Sequence, residues 1–167
     1  MSTITIDIRT AIPLDAPALA EVHQASWREA YSGVLPPRAL IGFINRRGPA
    51  WWVRTVRHAG VLVLEVGGEV VGYATYGRNR TGALPQGGEV YELYLLPEYQ
   101  GLGFGRRLFA AALERLRGLG AKGTIVWSIE ANDRAMGFYR TCGGRDVAEG
   151  TERFDGKVLN KVAFAFD

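Results

Sequence analysis

Cysteine is almost absent from this sequence. Cys142 is the only one, so no internal disulfide can form, and a reducing, cytoplasmic setting is expected. Histidine is nearly as scarce. His23 and His58 lie far from each other and from Cys142, with no pair at ligand spacing, so no metal site is expected. No histidine stands near Cys142 in sequence either, which leaves covalent catalysis through that thiol without an evident base. No apolar run approaches the length needed to cross a membrane. Met1-Ser2-Thr3-Ile4 lacks a basic region followed by a long apolar segment, so a secretory leader is not expected. Basic clusters are missing too. Lys and Arg number 20 against 17 acidic residues, for a net charge of +3. Apart from Arg46-Arg47 and Arg106-Arg107 they are scattered among acids. A nucleic-acid surface needs clustering, so none is expected, whereas the mild excess is compatible with an anionic ligand. There is no internal repeat and no low-complexity linker. With 47% hydrophobic and 22% charged residues, the chain suits one globular domain over residues 1–167.

What is present is organised around Val90 to Leu119. An apolar, aromatic run from Val90 to Leu96 stops at Pro97. Glu98-Tyr99-Gln100 follows, then alternating glycines at Gly101, Gly103 and Gly105, then a helical pattern. The order is strand, glycine turn, helix. Glycine lets a backbone approach a ligand closely. The first N–H groups of a helix have no partner within it, and the helix dipole adds positive charge there, so a phosphate suits that spot. A tight connection with no ligand is the other reading of the glycines alone. No Gly-Lys-Ser/Thr follows, which departs from a P-loop. Gly103 and Gly105 are one residue apart, which departs from the dinucleotide fingerprint.

Around this unit, Thr3 to Arg9 alternates as a half-buried strand with Ile4, Ile6 and Ile8 on one side. Asp15 stands where it could cap a helix running to about Tyr31. Short helices are expected at Arg38–Ile44 and Ala50–His58. Val61–Val66 and Glu69–Tyr76 read as strands joined by a Gly67-Gly68 hairpin. The loop Gly77–Gly88 is long enough to be mobile or to rim a site. After the central helix, whose stripe is Leu108, Phe109, Ala112, Leu113 and Leu116, come a strand at Thr124–Ile129 and a helix from Asn132 or Asp133 to about Thr141. Two strands near Arg145–Glu149 and Val158–Phe166 finish the chain. Strict strand-helix alternation is absent, so the class is α/β (α+β): a mixed sheet with helices on both faces.

Gln100-Gly101-Leu102-Gly103-Phe104-Gly105 matches the Gln/Arg-x-x-Gly-x-Gly/Ala signature of the GCN5-related N-acetyltransferases, the GNAT superfamily. Tyr94-Leu95-Leu96-Pro97-Glu98-Tyr99 is similar to that family's fourth strand and the loop behind it. Ser26 to Pro36 resembles its first helix and loop. Asn132-Asp133-Arg134-Ala135-Met136-Gly137-Phe138-Tyr139 resembles its Asn-x-x-Ala-x-x-Phe-Tyr motif. Gly143-Gly144 stands where the family often has Gly-Phe. The resemblance covers nearly the whole chain. It implies a mostly antiparallel sheet of about seven strands, splayed between the fourth and fifth. It also implies acetyl-CoA as co-substrate. Leu93, Tyr94 and Leu95 would run along the pantetheine arm, and Gln100, Gly101, Leu102, Gly103, Phe104, Gly105 and Arg106 would surround the pyrophosphate. Arg107 is either a further phosphate contact or a solvated helix residue. Asn132 would touch the cofactor arm, cap its helix, or both. Tyr139 would lie near the sulfur; without the motif it reads as a core tyrosine.

Acyl transfer from a thioester to an amine requires the amine uncharged, and a carboxylate can take the proton directly or through water. Glu92 and Glu89 are the candidates. Three residues apart on one strand, they are expected to face opposite ways. Glu92 is placed first because it precedes Leu93-Tyr94-Leu95. Glu89, beside the loop, would be solvated or hold a cationic acceptor at the rim. The histone acetyltransferase branch carries its base at a position that lines up with Glu89, so the choice stays open. Glu130 is a third candidate. Trp27, Tyr31, Trp51 and Trp52 lie in segments that would wall the acceptor pocket, or pack in the core. The implied activity is acetylation of a small-molecule or peptide amine by direct attack. The alternatives are an inactive CoA-binding sensor or interaction module and, from charge alone, a nucleic-acid binder. Monomer and homodimer both stay open.

Overall fold

The computed structural model describes residues 3–167. The first two residues, part of the stretch read against a leader, lie outside the described residues. Seven strands form one sheet in the order β1-β2-β3-β4-β5-β7-β6. In chain order they are β1 (Ile6–Thr10), β2 (Gly60–Val66), β3 (Glu69–Arg78), β4 (Gly88–Leu95), β5 (Thr124–Ile129), β6 (Arg145–Phe154) and β7 (Lys157–Phe166). Helices α1 (Ala16–Tyr31), α2 (Pro37–Arg46) and α3 (Pro49–His58) come between β1 and β2, α4 (Phe104–Gly118) follows β4, and α5 (Asp133–Thr141) follows β5. Among the described residues, no helix is long and apolar enough to cross a membrane.

The central strands are covered on both sides, which explains why Val61-Leu62-Val63-Leu64 is apolar without interruption. Leu62 and Leu64 pack with Leu108, Phe109, Ala112 and Leu116 of α4 and with Met136 and Tyr139 of α5. Val61 and Val63 pack with Leu19 and Val22 of α1 and Trp52 of α3. A third cluster joins Trp27 and Tyr31 of α1 to Leu40 and Ile44 of α2, and to Ile129, Phe154 and Leu159 at the other end of the sheet. The α1 residues in these clusters recur at helical spacing, so one helix face serves two cores.

Several boundaries differ from the sequence expectation. The first strand begins at Ile6, not Thr3, and Ile4 is exposed. The sixth strand runs from Arg145 to Phe154 and turns at Asp155-Gly156 into β7. Its second half, Gly150-Thr151-Glu152-Arg153, is polar because β6 is an edge strand with exposed side chains, and periodicity alone hid it. The loop after β3 is shortened to residues 79–87. It is pinned by Asn79, whose Nδ2 donates to the carbonyls of Leu84 (3.2 Å) and Gln86 (2.6 Å) and whose Oδ1 accepts from Thr81 N at 2.6 Å.

Asp15 does not cap α1 through its side chain. Its carboxylate closes the preceding turn, accepting from Ile12 N at 2.8 Å, and takes both terminal nitrogens of Arg9 at 2.8 and 2.9 Å. Arg9 also donates its Nε to Glu65 of β2 at 2.9 Å. One guanidinium therefore ties β1, the entry to α1 and β2 together. The hydrogen bond from Arg9 is the main reason the Asp15 carboxyl titrates below its ordinary value, against the opposing effect of burial. A carboxyl depressed on folding adds stability in full above its unfolded pKa of about 3.9, and loses it as pH falls through the folded value. Arg9→Met keeps the aliphatic stem and removes the fork. It should cost about 1–3 kcal/mol near pH 7, or about 2–12 °C in Tm. Melting curves from pH 7 to pH 2 should show the gap between wild type and variant closing below about pH 4. A gap that stays constant with pH would mean that Arg9 acts through packing alone.

Candidate functional site

Strands β4 and β5 run parallel but pair at only two positions, Gly88 with Thr124 and Glu89 with Ile125. Beyond those the strands diverge. The remainder of β4 keeps its partner β3 on one side and faces open space on the other. A cavity of about 880 Å³ fills the wedge, bordered by β4, the glycine turn, the start of α4 and one side of α5. A second cavity of about 330 Å³ opens on the α1–α2 side of the sheet. Leu93, Tyr94, Asn132, Ala135 and Tyr139 border both cavities.

Of the residues expected around a cofactor, Leu93, Tyr94, Leu95, Gln100, Gly101, Gly103, Gly105, Arg106 and Asn132 all border the larger cavity. Gly101 and Gly103 have φ of +74° and +87°, a left-handed conformation that disfavours a side chain. Nothing in the protein lies within 4 Å of where a Cβ would stand on Gly103, so the space there opens to the cavity. Gly103 caps α4, which leaves the N–H groups of the first helical turn without helical partners. The side chains of Leu102 and Phe104 do not border the cavity. Leu102 is exposed, and Phe104 packs toward Tyr99 at 6.4 Å. Neither residue is part of the cavity wall. The Leu95 carbonyl already accepts from Ser26 Oγ at 3.3 Å and Gln100 Nε2 at 3.2 Å. Both lone pairs are thus taken, so the backbone upstream of Leu95 is the part left to meet a ligand. Arg107 is exposed and borders neither cavity.

The two glutamates face the same way, contrary to the expectation from simple alternation. The β3–β4 register shifts: Thr75 pairs with Glu92 and Tyr76 with Val90, leaving Tyr91 as an extra residue. This bulge reverses the alternation. Val90, Leu93 and Leu95 therefore all turn toward α4, while Glu89 and Glu92 both border the smaller cavity. Glu89 is not solvated. It is 1% exposed, and its carboxylate accepts from Arg80 N at 3.0 Å and Arg80 Nη2 at 2.8 Å. It holds the 79–87 loop, with Arg80 also stacked over Tyr91 at 4.0 Å. Glu92 receives an Nη1 hydrogen bond from Arg47 on Oε1, and the Tyr73 hydroxyl on Oε2 at 3.5 Å. Glu130 is exposed and borders neither cavity, which removes it as a candidate. Trp27 and Tyr31 border the smaller cavity, whereas Trp51 and Trp52 do not. Trp52 is fully buried and Trp51 lies under the Arg47 guanidinium at 4.7 Å.

Tyr139 is 6% exposed, yet it stands where the cavities meet. Phe109 and Phe138 hold its ring at centroid distances of 5.5 and 5.3 Å, so core packing fixes a site residue. Burial raises its hydroxyl pKa well above the ordinary value, and nearby Tyr31, Cys142 and Glu92 push it the same way. The hydroxyl is a proton donor throughout the neutral range. Asn132 caps α5, its Oδ1 accepting from Ala135 N at 3.2 Å, while bordering both cavities. Asn132 therefore caps its helix and also lines both cavities.

Sequence reasoning missed Arg47, Tyr73 and the Glu152–Lys161 pair. Arg47 was visible only as half of a basic doublet. Its partner stands 45 residues away, and no local pattern announces that. Among the described residues, no cluster of His, Cys, Asp or Glu is suited to a metal ion.

Residues 17–143 match the Acetyltransferase (GNAT) family. The chain is 32% identical to the uncharacterized N-acetyltransferase YuaI of Bacillus subtilis, over 96% of this chain and 92% of that protein. It is 30% identical to the L-amino acid N-acyltransferase MnaT of Escherichia coli, over 78% of this chain and 73% of that one. The fold is similar to that of the PaiA N-acetyltransferase of Thermoplasma acidophilum, solved in complex with coenzyme A. The TM-score is 0.75 at 19% identity, covering 95% of this chain and 98% of the other.

Proposed function

This chain belongs to the acetyltransferase (GNAT) family, and from that premise we propose that it transfers an acetyl group from acetyl-CoA to the primary amine of a small acceptor, by direct attack in a ternary complex. The observation that carries this reading is the meeting of the two cavities at Tyr139, with Glu92 on the wall of the smaller one. The larger cavity suits acetyl-CoA on the chain's own features. The positive-φ glycines, the uncovered start of α4 and Arg106 offer donors and charge to a diphosphate. The unpaired edge of β4 offers backbone groups to amides.

Acetyl-CoA supplies the activated acyl thioester. Glu92 takes the proton that the acceptor ammonium must lose, directly or through one water. Three features favour Glu92 over Glu89. Its side chain is 14% exposed against 2% for Glu89, its Oε2 accepts one long hydrogen bond, from Tyr73, among the described residues, and it adjoins Leu93 and Tyr94, which border both cavities. Tyr139 Oη gives a proton, or a hydrogen bond, to the departing sulfur. Its burial keeps it protonated for that role.

The smaller cavity also constrains the acceptor. Its volume of about 330 Å³ is at the low end for ligand pockets, about 300–1,000 Å³. Trp27, Tyr31, Phe43, Trp127 and Phe154 wall it. Arg47, Arg80, Arg153 and Lys161 border it against Glu89, Glu92 and Glu152, so cations outnumber carboxylates by one. Each carboxylate has a basic partner, and Arg153 makes no ion pair among the described residues. This balance opposes polyamines and supports an acceptor with an anionic group beside its amine. The amino-acid specificity in the name of the Escherichia coli relative is in keeping with that.

Three outcomes are expected. Acetyl-CoA should raise the Tm of the wild type, because a ligand that binds the folded state stabilises it. Gly103→Val should abolish the rise by placing a side chain in the cradle, and a wild type without a shift at millimolar acetyl-CoA would refute the cofactor site. In CoA-release assays, Tyr139→Phe should lower kcat with little change in acetyl-CoA affinity. Glu92→Gln should lose most at low pH and partly recover as free amine appears; Glu89→Gln showing that pattern instead would move the base. Finally, L-phenylalanine should exceed 2-phenylethylamine and spermidine in kcat/KM by about tenfold or more, with Arg153→Gln narrowing the gap. Spermidine as the better acceptor would overturn the acceptor class.

A further inference from the structure

His23 is 1% exposed, lies on α1 outside both cavities, and has no part in the chemistry described above. Its Nδ1 lies 3.3 Å from the Tyr73 hydroxyl. Tyr73, fully buried on β3, donates that hydroxyl to Glu92 Oε2 at 3.5 Å. Arg47 donates to the other oxygen of the same carboxylate. The hydrogen-bond directions follow. An ionised carboxylate only accepts, so the Tyr73 hydroxyl must donate to Glu92, and its own lone pair is left for a donor. His23 can supply that donor only from Nδ1–H. The neutral ring with Nδ1 protonated satisfies the chain. Burial, followed by the Arg47 charge, brings the His23 pKa down to about 4 against the opposing effect of a hydrogen bond to the Phe43 backbone, so the ring is neutral. Burial likewise holds the Tyr73 hydroxyl protonated.

We propose that Tyr73, oriented by His23, is a positioning residue for Glu92, and that with Arg47 it fixes the carboxylate toward the junction of the two cavities. This rests on the assignment of Glu92 as the base. Two donors, one just past the C-terminal end of α2 and one from β3, each engage a different oxygen of the Glu92 carboxylate. Hydrogen bonds of this kind are commonly long without substrate and tighten when it binds. The ring of Tyr73 has a separate packing role against Trp52 and Tyr94, at centroid distances of 4.7 and 5.9 Å. Removing the hydroxyl alone separates the two roles. The other charged or titratable groups acting on this centre are Tyr31, Tyr94 and Tyr139, all of which burial holds in the protonated, neutral form.

The test is a set of kcat and KM measurements across pH on Tyr73→Phe, His23→Leu and His23→Asn, with Tm as the control for folding. Asn retains a donor near the place of Nδ1; Leu does not. Tyr73→Phe should lower kcat by about tenfold with the KM for acetyl-CoA unchanged. The loss should be largest at low pH, where the acceptor depends most on Glu92 to give up its proton. His23→Leu should act in the same direction and His23→Asn should restore most of the loss. In a Glu92→Gln background, Tyr73→Phe should change nothing further, because its effect passes through Glu92. A Tyr73→Phe enzyme with wild-type kcat and pH profile would overturn the proposal, as would a loss that persists in the Glu92→Gln background. If Tyr73→Phe does not fold, the contrast between His23→Leu and His23→Asn decides, and equal profiles for those two overturn it. Failure of the underlying reading is separate: Glu92→Gln alone would then keep full activity.

Discussion

The brevity of the β4–β5 pairing is the constraint on which the rest depends. Two parallel pairs join the halves of the sheet, and then the strands part. A parallel pair that continued would consume the β4 edge in ladder hydrogen bonds. Because it stops, part of one strand keeps its polar backbone available in the middle of the protein, where an unmet group is costly. Some of that cost is met internally, as at the Leu95 carbonyl. The remainder faces a cavity. The splay also sets the position of α5, which enters behind β5 and places Asn132 and Tyr139 at the widening mouth.

The bulge at Tyr91 is the second constraint, and it acts on chemistry directly. In a regular strand Glu89 and Glu92 would lie on opposite faces, one of them among the apolar side chains beneath α4. With one extra residue both emerge on the face that holds Arg47, Arg80 and Tyr73. The consequence is a division of labour. Glu89 sits deep and spends its lone pairs on Arg80, fixing a loop. Glu92 sits shallower and keeps one oxygen less engaged. Two chemically identical side chains three residues apart thus differ in what they can do, and the difference comes from packing.

This explains which parts could be read from the sequence. The wall of the larger cavity comes mostly from two contiguous segments, residues 93–106 and 132–139. Glycine spacing, the stop at Pro97 and the helical stripe of α4 are local signals, so those segments were legible almost residue by residue. The core of the sheet was legible for the same reason, since apolar periodicity is local. The bulge was not, because it is a property of how β4 meets β3. The second half of β6 was hidden by its polar edge, and the role of Asp15 by an arginine that arrives from β1. Leu102 and Phe104 were assigned to the site with their motif, yet neither borders the cavity.

The smaller cavity has the opposite construction. Trp27 and Tyr31 come from α1, Arg47 from beyond α2, Arg80 from a loop, Trp127 from β5, and Glu152 and Lys161 from the last hairpin. No two of these segments are neighbours in sequence, apart from the strands of that hairpin, and each ion pair joins groups that only the folded sheet brings together. Changing one of these side chains leaves the glycine turn and the β4 edge untouched, because they belong to different segments and largely to the other face. The fold therefore separates two tasks physically: one cavity is written into a short stretch of backbone, and the other is assembled from side chains over the full sheet. Tyr139, Asn132 and the Leu93-Tyr94 segment are where the two must agree in position, which is why a buried aromatic cluster, and not a solvent-exposed loop, holds the residue between them.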